Sequence, residues 1–297
     1  MNAPLRVGLF LDATGPAIAP RREVWQVADE AGFDHLWHDD HLLTVAEGRS
    51  PDGPIHESWT LLGAMAEATK RVRVGVMVTS NMYRNPGMLA KMAATVDHIS
   101  GGRLEVAMGA GWSDVELTSL GMPAPTGPRE RVERLDESCA ILKLLWTQVR
   151  TDFDGKYYRL VDAILEPKPV QKPQPRLWVG AEGKRMLRVT ARRADVWNVV
   201  GSGDVEGVDA DVEKSRLLDA YCLELGRDPA DIARTVMLRL TSVDEICRLV
   251  ERYVAGGFSE IILELQVDDP RRRVEQEAIP AMTRIRELVH APASSST

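Results

Sequence analysis

The chain is poor in cysteine. Cys139, Cys222 and Cys247 are scattered over 297 residues with no C-x-x-C spacing. That excludes a disulfide scaffold and offers no metal framework, and an odd, sparse set suits a reducing compartment. Long apolar runs are missing too. No stretch approaches the roughly 20 residues that cross a bilayer, so no membrane passage is expected. The N-terminus has no basic segment followed by an apolar core, so no signal peptide is expected and the reading is cytoplasmic. Basic charge is in deficit, with 37 Lys and Arg against 44 Asp and Glu, a net charge of −7. This argues against a nucleic-acid surface as a partner. Finally, no third glycine follows Gly109-Ala110-Gly111 at dinucleotide-fingerprint spacing, and no helix opens there. An open doubly wound sheet is thereby the weaker fold reading.

What is present is organised around Val72 to Trp112. Val72–Thr79 is apolar and β-branched with no solvent face, which suits a strand buried on both sides in a parallel sheet. Asn85 offers an N-cap and Pro86 a first helical position. Met88, Leu89, Met92, Val96 and Ile99 follow at helical spacing, and Gly101-Gly102 stop the helix. A second buried strand, Leu104–Met108, runs into Gly109-Ala110-Gly111-Trp112. Strand, helix and strand in this order form a βαβ unit with a right-handed crossover.

The alternation continues through the chain. Strands are expected at Leu5–Leu11, Phe33–Trp37, Leu177–Gly180, Asp195–Val200, Thr235–Leu240 and Phe258–Leu265. The helices between them are expected at Arg22–Ala31, Ser58–Thr69, Arg131–Trp146, Gly183–Arg192, Val212–Leu225, Val243–Ala255 and Val274–Val289. The Arg131 helix turns Val132, Leu135, Cys139, Leu142 and Leu145 inward. Thr151–Pro175 breaks the rhythm with a short hairpin and an extended proline-rich segment, an insertion after the fourth helix. Eight strand–helix units argue a (β/α)8 TIM barrel. Such a length buries roughly 75% of its unfolded surface. Residues 1–290 read as one domain, and 291–297 as a disordered tail.

In a barrel of this kind, ligands bind at the carboxyl ends of the strands. His38-Asp39-Asp40-His41 follows the second strand. H-x-x-H off a helix is weak metal spacing, so no metal is expected; an ordinary solvated loop is the plain alternative. Gly180-Ala181-Glu182-Gly183-Lys184-Arg185 leads into a helix whose N–H groups and cations suit a phosphate. Glu57 and Trp59 are further candidates for the pocket wall. Arg271-Arg272-Arg273 reads as a solvated helix start.

Several motifs together resemble the bacterial-luciferase-like flavin and deazaflavin oxidoreductases. They are W-H-D-D-H at 37–41, Y-R-N-P at 83–86, and V-D-H-I-S-G-G-R leading to A-M-G-A-G-W with Glu116 beyond. E-P-K-P-V-Q-K-P-Q-P-R-L-W-V-G at 166–180 and A-D-V-W-N at 194–198 complete the set. The resemblance covers roughly residues 5–290 and is strongest to the branch that uses coenzyme F420. It implies a deazaflavin hydride carrier with the ring in the barrel mouth, FMN being the alternative in a two-component monooxygenase. A non-catalytic flavin-binding protein is a third reading. The resemblance makes His41 the proton-handling residue with Asp40 beside it. It assigns the cofactor to Asp40, His41, Met77, Val78, Thr79, Gly109, Ala110, Gly111, Trp112 and the loop Gly180, Ala181, Glu182, Gly183, Lys184, Arg185. It also implies a cis peptide between Met77 and Val78, a homodimer, and a separate reductase or dehydrogenase that regenerates the cofactor. Trp112 stands where the sugar-6-phosphate dehydrogenases of this family carry a catalytic glutamate, which speaks against that substrate class.

Overall fold

A computed structural model describes residues 5–15, 17–44, 50–265 and 269–290. The expected tail at 291–297 lies outside the described residues. Eight parallel strands close into a barrel: β1 (Arg6–Leu11), β2 (His35–His38), β3 (Arg73–Ser80), β4 (Leu104–Gly109), β7 (Leu177–Gly180), β8 (Val196–Val200), β9 (Ala233–Arg239) and β10 (Glu260–Leu265). Around the barrel the order is β1-β10-β9-β8-β7-β4-β3-β2. The antiparallel hairpin of β5 (Thr151–Asp154) and β6 (Arg159–Ala163) stands apart from it. The fold is therefore the (β/α)8 barrel read from the sequence.

The helices cover the outside: α1 (Ile18–Ala31), α2 (Ser58–Ala68), α3 (Pro86–Ser100), α4 (Asp114–Ser119), α5 (Pro128–Thr147), α6 (Lys184–Arg193), α7 (Val205–Glu224), α8 (Val243–Ala255), α9 (Pro270–Arg273) and α10 (Ile279–His290). Their limits follow from local chemistry. At α3 the Asn85 side chain accepts the Gly87 N–H at 2.9 Å, Pro86 fills the first position, and Gly101 closes the end at φ 65°. Among the described residues, none of these helices is long and apolar enough to cross a membrane.

The structure departs from the sequence reading in several places; α1 begins at Ile18 rather than Arg22 and α5 at Pro128 rather than Arg131. α7 starts at Val205 rather than Val212, because Asp204 caps it by accepting the Gly207 N–H at 2.7 Å. The short α4 was missed; its six residues are too few for a periodic signal. On α5, Val132 is only half-buried while Arg131 takes a buried place.

Apolar side chains pack in two layers. One lies between strands and helices, and the other fills the lumen with Phe10, Trp37, Met77, Ala107, Trp178, Val196 and Ile262. Gly75 leaves room for Trp37, whose ring meets Trp178 edge-on at 4.8 Å. Below them, Arg176 bonds Glu105 at 3.0 Å and Glu260 at 2.9 Å, and Trp178 donates to Glu105 at 2.6 Å. Burial lowers the His35 pKa to about 3, so it stays neutral beside this network. The amino end of the barrel is thus a closed ionic plug. All eight strands point the other way, and their carboxyl ends form one mouth.

Candidate active site

β2 delivers His38 and then the loop Asp39-Asp40-His41 to the mouth. His38 is buried, bonds the Ser58 carbonyl through Nε2 at 2.9 Å, and has its pKa lowered by burial to about 4. It is a neutral core residue. Asp40 is also buried, and both its oxygens are occupied. Arg84 donates to Oδ2 at 2.7 Å and to Oδ1 at 2.9 Å, while the Ser80 N–H donates to Oδ2 at 2.8 Å. Arg84 also pairs with Glu57. Asp40 therefore ties the β2 loop to the end of β3 and the Y-R-N-P segment. A bidentate, buried pair of this kind fixes geometry.

His41 is placed differently. Its Nδ1 lies 3.0 Å from Glu116 Oε2, and its side chain is partly open. Glu116 sits in the first turn of α4, whose cap Ser113 accepts the Glu116 N–H at 3.4 Å. The Glu116 side chain is fully buried, yet its carboxylate accepts from Tyr83 Oη at 2.8 Å, Leu42 N at 2.6 Å and Leu43 N at 3.2 Å as well. Burial alone would raise the Glu116 pKa. The donors outweigh it and hold the carboxyl at about 2. Burial opposes a charge on His41, but the Glu116 bond and charge win, and its pKa is raised. Nδ1–H is thus committed to Glu116. Nε2 has no hydrogen-bond partner among the described residues.

Beside this pair the mouth is apolar. The Met77–Val78 peptide is cis, where the resemblance places it. The β3–β4 register slips between Val76 and Thr79, and Val78 is pushed toward its neighbours. A Cβ on Gly109 would collide with Val78 Cγ2, and one on Gly180 would lie 3.1 Å from Val78 Cγ1. Gly109 and Gly180 are therefore glycines for the sake of Val78. Val78, Met77, Gly180, Ala181, Asn198, Val200, Met237 and Glu182 enclose a cavity of about 220 Å³. Thr79 turns away from it, accepting the Trp59 Nε1–H at 3.2 Å. Trp59 is a core residue and Glu57 caps α2, and neither lines the cavity beside Val78.

The loop after β7 is open. Ala181 is buried and bonded to β8, its N–H donating to the Asn198 carbonyl at 3.0 Å. Glu182, Gly183, Lys184 and Arg185 are exposed. Gly183 caps α6 without any side-chain bond, which leaves first-turn N–H groups available. Gly111 adopts φ 75°, and Ala110 is half-buried between it and Gly109. Trp112 is 67% exposed, and its ring stands edge-on to His41 at 5.7 Å.

The structure ties Asp40 to the end of β3 through the Ser80 N–H, packs Val78 against Gly109 and Gly180, and sets His41 against Glu116 and Trp112. It adds partners that sequence reading missed. Glu116 had been noted only as part of a motif, and Tyr83 and Arg84 only as letters of Y-R-N-P. Asp39 is also new. It is half-buried, accepts the Ala13 N–H, and is pushed by burial to about 6. Among the described residues, no group of three or more His, Cys, Asp or Glu is gathered as metal ligands. The three cysteines are buried and unpaired; burial pushes Cys139 to about 12.

Comparison with known proteins adds to this geometry. A family model described as luciferase-like monooxygenase matches residues 1–290. An FMNH2-dependent dimethylsulfone monooxygenase of Pseudomonas putida is 31% identical over 229 residues, 74% of this chain and 61% of that protein. An F420-dependent glucose-6-phosphate dehydrogenase of Segniliparus rotundus is 31% identical over 249 residues, 81% of this chain and 70% of that protein. Among solved structures, an F420-dependent secondary alcohol dehydrogenase bound to an F420-acetone adduct superposes with a TM-score of 0.82. It is 18% identical, covering 95% of this chain and 99% of that one. At that identity the likeness speaks for the fold.

Proposed function

Because the chain belongs to the luciferase-like monooxygenase family, we propose that it is an oxidoreductase using coenzyme F420 as hydride carrier for a small organic substrate. The observation that carries this reading is the His41–Glu116 pair beside the apolar floor of Val78. An uncharged tricyclic ring needs a flat apolar support, and a hydride acceptor needs a proton close by. Both stand at one mouth.

When bound, the deazaflavin supplies two-electron hydride chemistry. Met77, Val78 and Ala181 would support its ring. Gly109-Ala110-Gly111 and the open N–H groups at Gly183 would hold its chain and phosphate. Lys184 and Arg185 have no ion-pair partner among the described residues and would meet the acidic tail. His41 Nε2 passes the proton to or from the substrate. Glu116 holds the ring in the tautomer that keeps the proton on Nδ1 and stabilises the imidazolium when Nε2 is charged. Asp40 positions the loop. Outer-shell carboxylates of this type commonly fix a reactive imidazole.

FMN is the alternative cofactor, supported by the Pseudomonas putida relative. We also read the protein as a homodimer whose cofactor is reduced by a separate enzyme. Equilibrium titration with F420 and with FMN tests the first point, followed by single-turnover hydride transfer from reduced F420. Tighter F420 binding with transfer is expected. Tight FMN binding with no F420 binding would move the protein to the monooxygenase branch.

A further inference from the structure

Trp112 breaks the rule that the other tryptophans of the chain obey. Trp25, Trp37, Trp59, Trp146, Trp178 and Trp197 are each 3% exposed or less, whereas Trp112 is 67% exposed. An indole left in water forgoes a large burial gain, and this one is left beside the proton-handling residue. Its backbone is fixed on both sides, by the φ 75° turn at Gly111 and by the Ser113 cap of α4. Its ring lies at 69° to His41 with centroids 5.7 Å apart, a T-shaped contact. Val115, one helical turn on, is 68% exposed and extends the apolar surface.

The far side of the mouth has the opposite character. Asp12 just after β1 and Glu264 on β10 place carboxyl groups there, and Asp39, on the β2 loop beside His41, stands between the two sides. Glu264 faces Arg239 only at 3.9 Å, and Asp39 accepts the Ala13 N–H. Arg21 donates to the Asp12 carbonyl at 2.6 Å and stands beside the Asp12 and Asp39 carboxyls, so three carboxyls face two cations, Arg21 and Arg239, and the rim keeps one negative charge in excess. The exposed cations Lys184 and Arg185 lie beyond β7, on the side proposed for the cofactor tail.

We infer that Trp112 is the specificity-determining wall of the substrate site, selecting flat, uncharged, π-bearing acceptors, while the acidic far rim rejects phosphorylated ones. This rests on the reading of the mouth as a hydride-transfer site. The resemblance counts Trp112 with the cofactor; we place it on the substrate side because its ring stands against His41, the residue proposed to serve the substrate with a proton. A planar enone or quinone stacks on the indole with its electrophilic carbon toward the ring of the carrier. The hydride forms a bond to that carbon, the π pair of the C=C or C=O moves to the far atom, and that atom takes the proton from His41 Nε2. The C–H bond of the reduced carrier would break as the hydride leaves with both electrons, so carrier and His41 together would give up one hydride and one proton, and the acceptor would be reduced by two hydrogens.

The test uses the full chain saturated with oxidised F420, so that binding is read without turnover. The probes are menadione, 2-cyclohexen-1-one and glucose 6-phosphate, measured by equilibrium dialysis. Wild type is expected to bind menadione more tightly than cyclohexenone and to leave glucose 6-phosphate free. W112A should lose about tenfold in menadione affinity, the scale of one aromatic contact, and less for cyclohexenone. W112F should recover most of the loss, with deazaflavin affinity unchanged in both variants. Equal menadione binding by wild type and W112A overturns the inference. So does glucose 6-phosphate binding as well as menadione, or a W112A defect that falls on the deazaflavin instead. Failure of wild type to bind F420 is seen before any probe is added; it overturns the proposed function and takes this inference with it.

Discussion

Replacing Glu116 with Gln is expected to cost about 3 kcal/mol near pH 7. The Glu116 carboxyl is fully buried and held from an ordinary 4.5 down to about 2. At ~1.4 kcal/mol per tenfold in proton affinity, that lowering is a stability contribution of about 3 kcal/mol. Its sign is fixed by the direction. A depressed carboxyl contributes above its unfolded value and loses the contribution as pH falls from 4.5 toward about 2. His41 runs the other way. Its raised pKa contributes fully below the ordinary 6.5 and is lost as pH rises through the folded value. The intact ion pair occupies the window between. For a large domain ~1 kcal/mol moves Tm by about 2–4 °C. E116Q should therefore melt roughly 6–12 °C below wild type at pH 6–7, with the gap closing below pH 4.5. Differential scanning fluorimetry from pH 3 to 8 on both proteins reads this. A Tm deficit of the same size at pH 3.5 and pH 7, or no deficit at pH 7, would refute the pairing.

Three further outcomes follow from the geometry. His41→Ala should lower single-turnover hydride transfer by ~10²–10⁴-fold, the range of general acid–base help. Cofactor affinity should stay nearly unchanged; a rate within about threefold of wild type would remove His41 from the chemistry. Gly109→Ala should weaken cofactor binding and destabilise the fold by ~1–3 kcal/mol through overpacking on Val78, and adding Val78→Ala should restore stability. A double variant no more stable than G109A would show that Val78 is not the obstacle. Ellman's reagent should titrate no thiol in the native protein and three in denaturant, since Cys139, Cys222 and Cys247 are all buried; rapid native labelling would contradict that packing.

Much of the fold was legible in the chain because a parallel barrel writes each strand as an unbroken apolar run. Leu177–Gly180 and Val243–Ala255 matched to the residue. What failed were signals too short or too polar to have a period. α4 has six residues, and the first turn of α7 opens on Val-Glu-Gly-Val. The site was half legible for a related reason. His41 could be placed by its position after a strand. Its partner Glu116 lies 75 residues away, and only the closed barrel brings β2 and β4 loops to one rim. Asp40 looked like chemistry in the sequence. In the structure its oxygens are filled by Arg84 and Ser80. The reason for Gly109 and Gly180 likewise needed coordinates, since the side chain they accommodate is Val78.

The plugged amino end has a kinetic consequence. With Trp37 and Trp178 across the lumen and Arg176, Glu105 and Glu260 beneath them, nothing passes through the barrel. Under the proposed function, cofactor and substrate would share one entrance, with the half-buried Val78 deeper than the exposed Trp112. The guest that rests on Val78 has to arrive first and depart last. Initial-rate patterns should then be those of an ordered sequence, with the outer guest at high concentration trapping the inner one. The order of events in solution is thereby set by residues at the opposite end of the molecule, which no reactant touches.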